Sequence, residues 1–232
     1  MVGRLGMNRT GAFQAALVDL DGTLVDTLDD FKLALDAMLS ELGLPSVERH
    51  FVARTVGKGS EHLVRRSLEQ ATRGTTHSLH ALFDRAIELY QQHYRRVNGL
   101  AARVYDGVVP GLQRLRTHGL VLGCITNKPT EFAIQLLERT GLASHFALVN
   151  GGDRFEHKKP HPMPLLESCR MLGVAPARTL MLGDSSNDAL AARAAGCPVV
   201  LVSYGYNHGE PVSAVDADGV VDRLDEVRLD AA

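Results

Sequence analysis

The nine residues Asp19-Leu-Asp-Gly-Thr-Leu-Val-Asp-Thr27 decide how this chain folds. They follow Ala15-Ala16-Leu17-Val18, a short apolar run of the length and composition of a buried parallel strand. Gly22 then forces a turn. Two carboxylates, Asp19 and Asp21, therefore leave the carboxyl end of a strand and enter a loop, the edge of an open α/β sheet where ligands bind. Like charges this close repel, so a cation between them is expected, and Mg²⁺ suits hard oxygen ligands.

Working outward, four more segments read as buried strands: Leu120 to Ile125, Ala147 to Val149, Thr179 to Leu182 and Pro198 to Val202. Amphipathic helices separate them, from Pro110 to His118, Glu131 to Thr140, Met163 to Leu172 and Asn187 to Ala195, each followed by glycine. This alternation predicts a Rossmann-like parallel sheet flanked by helices, and Gly219 to Val221 offers a sixth strand.

Residues 27 to about 100 break the pattern. They hold no convincing strand and read as helices at roughly 28–42, 47–56, 60–72 and 78–97. The last repeats Leu79, Leu82, Phe83, Ala86, Tyr90 and Val97 on one face, and Asp26 or Thr27 is placed to cap the first. The expected division is a core of residues 12–26 and 101–232, an all-helical insertion at 27–100 and a loose leader at 1–11. An insertion at the ligand-binding edge is placed to act as a lid.

Composition narrows the partners. The chain has 232 residues, 45% hydrophobic and 22% charged, with a net charge of −2. Its pI is near 6.5. That balance argues against nucleic acid or an anionic membrane as a bulk electrostatic partner. No apolar stretch approaches the roughly 20 residues of a membrane span. The first ten residues lack a signal peptide's apolar core. Cys124, Cys169 and Cys197 lie far apart without metal-ligand spacing, as expected of reduced thiols in the cytoplasm.

Three further strand ends carry reactive side chains. Thr126-Asn-Lys-Pro129 offers a hydroxyl, an amide and an amine at a helix N-terminus, a favourable place for anions. His157-Lys-Lys-Pro-His-Pro162 follows the third strand, and Gly183-Asp-Ser-Ser-Asn-Asp188 follows the fourth. Acids, a hydroxyl and a lysine thus meet on one edge of one sheet.

In this order, the residues resemble the haloacid dehalogenase superfamily, whose pattern is Asp-x-Asp-Gly-Thr, a Thr or Ser, a Lys before Pro, and Gly-Asp with another Asp soon after. The helical insertion resembles that superfamily's first class of cap. Gly151-Gly-Asp153, Lys158 to Pro162, Val56-Gly-Lys-Gly59 and Tyr204-Gly-Tyr-Asn207 resemble bacterial phosphoglycolate phosphatases within it. The resemblance implies a Mg²⁺-dependent hydrolase of a small phosphorylated metabolite, acting through an aspartyl-phosphate, as a monomer or homodimer.

It also implies roles. Asp19 would be the nucleophile and Asp21 the acid and base. Mg²⁺ would lie between Asp19, the Asp21 backbone carbonyl and Asp184. Lys159, Thr126 and N–H groups near Gly22 would meet the phosphoryl oxygens, with Asn127 beside them. Gly57 and Lys58 would face the far, carboxylate end of the substrate. Dehalogenases proper lack an acid at the position of Asp21, which favours phosphate over carbon–halogen chemistry here.

Several residues carry two readings. Asp188 is either a first-turn acid favoured by the helix dipole or a group orienting Asp184. Lys128 is an anion contact or a surface charge, and Lys158 a solvated neighbour of Lys159. His161 shapes a Pro-flanked loop, Arg65 and Arg66 form a solvated helix face, and Tyr204 and Tyr206 pack. Rival functions are a β-phosphoglucomutase-like phosphotransferase, a phosphonatase using Lys58, and a phosphate-sensing protein without turnover.

Overall fold

A computed structural model describes residues 13–73 and 79–229; the expected leader, Ser78 and the side chain of Leu79 lie outside them. The chain opens with β1 (Ala15–Val18) and a short β2 (Val25–Asp26). Four helices follow: α1 (Leu28–Glu41), α2 (Arg49–Thr55), α3 (Ser60–Ala71) and α4 (Leu79–Val97). Next come β3 (Arg103–Val104), α5 (Val108–Thr117), β4 (Val121–Ile125), α6 (Thr130–Arg139) and β5 (Leu148–Asn150). The chain continues through α7 (Met163–Leu172), β6 (Thr179–Gly183), α8 (Ser186–Ala195), β7 (Val199–Val202) and β8 (Gly219–Val221).

Six strands form one parallel sheet in the order β5-β4-β1-β6-β7-β8. Residues on β1 alternate between its two faces, as strand geometry requires. Ala16 and Val18 join Leu112 and Leu115 of α5 and Leu136 of α6 in one apolar layer. Leu17 packs on the other face with Leu165 of α7 and Ala189 and Ala192 of α8. Burial on both faces explains why these strands are continuous apolar runs.

The chain builds outward from β1 to β4 and β5, then returns to β6 on the other side of β1. The strand order reverses at β1, so the crevice at its carboxyl end is the switch point of the sheet. Helices α1 to α4 stand between β2 and β3 around a separate core of Leu35, Met38, Leu68, Tyr90 and Tyr94.

The antiparallel pair of β2 and β3 was not expected: Val25 pairs with Val104 and Asp26 with Arg103 where the chain leaves and re-enters the sheet region. Each strand has only two residues, too few to show a period. Asp30 fastens the same junction from α1. Its carboxylate is fully buried and accepts hydrogen bonds from the N–H groups of Gly99 (2.6 Å) and Ala101 (2.8 Å).

Candidate active site

Three strand ends meet at the switch point: Asp19 just after β1, Thr126 just after β4 and Asp184 just after β6. Lys159 joins them from the loop before α7, and all four side chains are buried. The Lys159 ammonium donates to the Ile125 carbonyl (2.9 Å) and to Asp188 Oδ1 (2.6 Å). It also stands 2.9 Å from Asp19 Oδ1. That last contact is ionic; Asp19 Oδ1 is buried without a well-aligned hydrogen bond.

The electrostatics follow from burial. Burial pushes the Asp19 carboxyl up to about 7 against the opposing charge of Lys159, and Asp188 adds to the rise. Asp184 is held well above the usual carboxylate range by burial first, then by Asp188 and Asp19. Burial works against the Lys159 charge, yet Asp188 and Asp19 keep its pKa above that of an ordinary lysine.

Ligand oxygens of Asp19, Asp184 and Asp188 lie within 4.8 Å of one another. With one ammonium among three carboxylates, the cluster has room for a divalent cation on charge grounds. Asp188 is already satisfied: its Oδ2 accepts from the N–H groups of Asp184 (3.2 Å) and Ser185 (3.1 Å) and from the Ser185 hydroxyl (2.8 Å). The acceptor left without a hydrogen bond belongs to Asp19. A hard cation held by Asp19 and Asp184, with Asp188 setting Lys159 and the loop, fits this donor set. The Ser185 and Asp188 contacts also form the capping box of α8, so the first-turn acid of that helix is the same group that meets the Asp184 N–H.

Asp184 fits so closely that its neighbours must be glycine. A Cβ on Gly205 would fall 2.1 Å from the Asp184 Cβ, and one on Gly22 would fall 2.5 Å from its Oδ2. Gly22 departs from expectation here. Its N–H donates to the Val25 carbonyl (2.9 Å) and is not free for phosphate. The residue serves the turn, with φ of 86°, and the seat of Asp184.

Asp21 stands beside Asp19 at the cavity wall and accepts through Oδ1 from Thr27 Oγ1 (2.7 Å) and Lys128 Nζ (2.8 Å). Thr27 therefore does not cap α1; Asp26 Oδ1 accepts from the Leu28 N–H (3.2 Å) instead. Thr126 Oγ1 accepts from the Lys128 N–H (3.2 Å), which leaves its hydroxyl hydrogen to donate toward the cavity it lines. Asn127 Nδ2 donates to the Gly57 carbonyl (2.9 Å) and the Lys159 carbonyl (2.8 Å). Asn187 Nδ2 reaches the same Gly57 oxygen (3.1 Å), so two amides from the sheet side hold the α2–α3 loop.

The helices roof the cavity with Phe31, Val56, Leu63 and Tyr90, beside Gly57, Gly59 and Ser60. Lys58 lies elsewhere. It is exposed and lines an outer hollow with Arg54, His62 and Arg66. Gly57 and Gly59, with φ of 100° and 92°, line the cavity, while Lys58 between them lines the outer hollow. Lys158 is exposed, as expected, although its Nζ reaches to 3.0 Å from where a Cβ on Gly59 would stand.

Three residues do more than the sequence suggested. Lys128 is buried rather than a surface charge. Tyr206 donates its hydroxyl to Asp26 Oδ1 (2.7 Å), accepts from the Thr27 N–H (2.8 Å), and gives its own N–H to Asp184 Oδ2 (2.7 Å). Tyr204 donates to the Thr23 carbonyl (2.8 Å). The partners of the two tyrosine hydroxyls are 179 to 181 residues distant along the chain, beyond any local pattern.

A sheet edge carrying this set of acids and two buried lysines agrees with the family comparison. The model of the haloacid dehalogenase-like hydrolases matches residues 16–202, and the chain belongs to that family. It is 45% identical over 216 residues to the phosphoglycolate phosphatase of Thiobacillus denitrificans, covering 93% of this chain and 94% of that one. It is 43% identical over 213 residues to the phosphoglycolate phosphatase of Nitrosospira multiformis, covering 92% and 93%. Among solved structures, a predicted phosphoglycolate phosphatase from Haemophilus somnus 129PT superposes with a TM-score of 0.89 at 30% identity, covering 94% of this chain and 97% of that one.

Proposed function

We propose that this chain hydrolyses 2-phosphoglycolate to glycolate and phosphate through an aspartyl-phosphate on Asp19. The observation that carries the reading is the buried Asp19 beside Lys159, at the mouth of a cavity whose other side is formed by the helices. Relatives over most of the chain bearing that activity in their names support the substrate.

The chemistry runs in two transfers. The Asp19 carboxylate attacks phosphorus, and the bond from phosphorus to the leaving alkoxide breaks. Asp21 gives its proton to that alkoxide, then takes one from the water that attacks the aspartyl-phosphate. Phosphate leaves, and Asp19 is regenerated. Lys159 offsets the charge gathered on the phosphoryl oxygens, and the Thr126 hydroxyl donates to one of them. Asp19, Asp184 and the Asp21 carbonyl would hold Mg²⁺, whose chemistry would be further neutralisation of the phosphoryl charge.

The far end of the substrate meets the helices. Helix α3 begins at Ser60 behind Gly59 without a side-chain cap, so its first N–H groups remain open to a carboxylate. The apolar roof excludes bulk water during attack. Among the described residues no helix is long and apolar enough to cross a membrane, and the three cysteines are unpaired, which supports a cytoplasmic site of action.

The test is kcat/KM over a panel of phosphomonoesters with and without Mg²⁺. Preference for 2-phosphoglycolate, lost on chelation, is expected. A flat profile, or preference for a hexose phosphate or pyrophosphate, removes the substrate assignment.

A further inference from the structure

Lys128 takes part in none of the steps above, yet its side chain is as buried as that of Lys159, each 2% exposed. Burying an ammonium is costly unless its partners offset the loss of water. An ion pair of this kind adds little stability over apolar side chains of the same size. A reason other than stability is needed.

The surroundings supply one. The ammonium donates to Asp21 Oδ1 (2.8 Å) and to the Tyr94 hydroxyl (2.5 Å). It also faces the rings of Phe31 and Tyr94, with centroids at 4.5 and 4.9 Å. Asp21 Oδ1 carries a second donor, the Thr27 hydroxyl, at 2.7 Å. Asp21 Oδ2 has no hydrogen-bond partner among the described residues, and Asp21 lines the cavity. A carboxyl group that relays a proton needs this asymmetry: one oxygen fixed, the other free.

We propose that Lys128 is the positioning residue of Asp21, gripping Oδ1 so that Oδ2 meets the leaving oxygen. Helices α1 and α4 complete the grip through Phe31 and Tyr94. The inference rests on the phosphatase reading and on Asp21 as its acid. Asp21 and Lys128 come from loops after β1 and β4, whereas both aromatic residues come from the helical segment. The grip on Asp21 thus draws on both the sheet edge and the helices above it.

The test compares substrates by leaving group. An alkoxide, as in 2-phosphoglycolate or the best alkyl phosphate of the panel, needs a proton as it departs. The phenolate of p-nitrophenyl phosphate does not. The constant kcat/KM covers only the first transfer, to Asp19. Lys128→Met is expected to lose about 100-fold on the alkyl substrate and less than about threefold on p-nitrophenyl phosphate. The retained aryl activity also reports folding.

Equal losses on both substrates would overturn the proposal. Should Lys128→Met fail to fold, Tyr94→Phe keeps the ammonium but removes one of its acceptors. It is expected to shift the ratio in the same direction by roughly threefold, and an unchanged ratio counts against the proposal. Asp21→Asn separates the two levels. If it too loses equally on both substrates, the assignment of Asp21 as acid has failed, and Lys128 falls with it. If Asp21→Asn discriminates and Lys128→Met does not, only the positioning role is wrong.

Discussion

The sheet edge and the helices above it face the same cavity and are built on opposite principles. At the edge both oxygens of Asp184 and of Asp188, and one oxygen of Asp21, are engaged by named donors or cations, and small errors are excluded by glycines packed against Asp184. Across the cavity the helices offer ring faces and aliphatic groups, with Phe31 stacked on Tyr94 at 5.2 Å and Tyr90 on Tyr94 at 5.4 Å. Fixed polar groups define a reaction, because charge develops at set positions. An apolar roof defines what fits and how dry the site is, and tolerates more change.

Substitutions that respect or cross this division should differ in size. The largest effect is expected at Asp19: Asp19→Asn removes the nucleophile and should lower kcat by about 10⁴-fold or more on every phosphomonoester. Residual Mg²⁺-dependent turnover near the parent rate would move the nucleophile elsewhere. Asp188→Ala, which touches no substrate, should cost about 10- to 100-fold by releasing Lys159 and the Asp184 loop. A loss in stability alone, with kcat intact, would make Asp188 merely a helix cap.

Stability offers a second contrast. Asp30→Ala leaves the N–H groups of Gly99 and Ala101 without their acceptor and should cost about 2–4 kcal/mol in denaturant unfolding. A change below about 0.5 kcal/mol would mean the junction does not depend on it.

Metal and pH are linked at the edge. Asp19 keeps its proton up to about 7 in the folded chain, against the ordinary value of 3.8. Between these values the folded chain binds more protons than the unfolded one, so metal-free stability falls as pH rises through that window. Mg²⁺ requires the ionised carboxylates, so its stabilising effect grows over the same window. The rise in Tm on adding Mg²⁺ should be larger near about pH 8 than near about pH 5; equal rises would contradict the cluster as the metal site.

The smallest effect is expected at Lys58. Because it lines the outer hollow, Lys58→Ala should change kcat/KM for 2-phosphoglycolate by less than about twofold. A selective loss on that substrate would place Lys58 over the cavity during turnover.

What the sequence disclosed follows the same line. The four central strands and the acids at the ends of β1 and β6 were legible because burial on both faces writes continuous apolar runs, and chemistry concentrates where those runs stop. Asp19, Lys159 and Asp184 stood out for that reason. Lys128 did not, because its partners Tyr94 and Asp21 are 34 and 107 residues away and nothing local distinguishes a buried lysine from a solvated one. Lys58 shows the converse: its motif suggested an anion contact, and its place on the outer hollow could not be read from that motif. The β2–β3 pair was too short to leave a pattern.

The central claim is that phosphate passes through Asp19. The direct measurement is to quench the enzyme with acid during turnover of 2-phosphoglycolate and Mg²⁺, digest it, and locate the phosphoryl group by mass spectrometry. Phosphate is expected on the peptide containing Asp19, absent from Asp19→Asn and lost on mild alkaline treatment. Phosphate on another residue, or phosphate on the same peptide in Asp19→Asn, would contradict it.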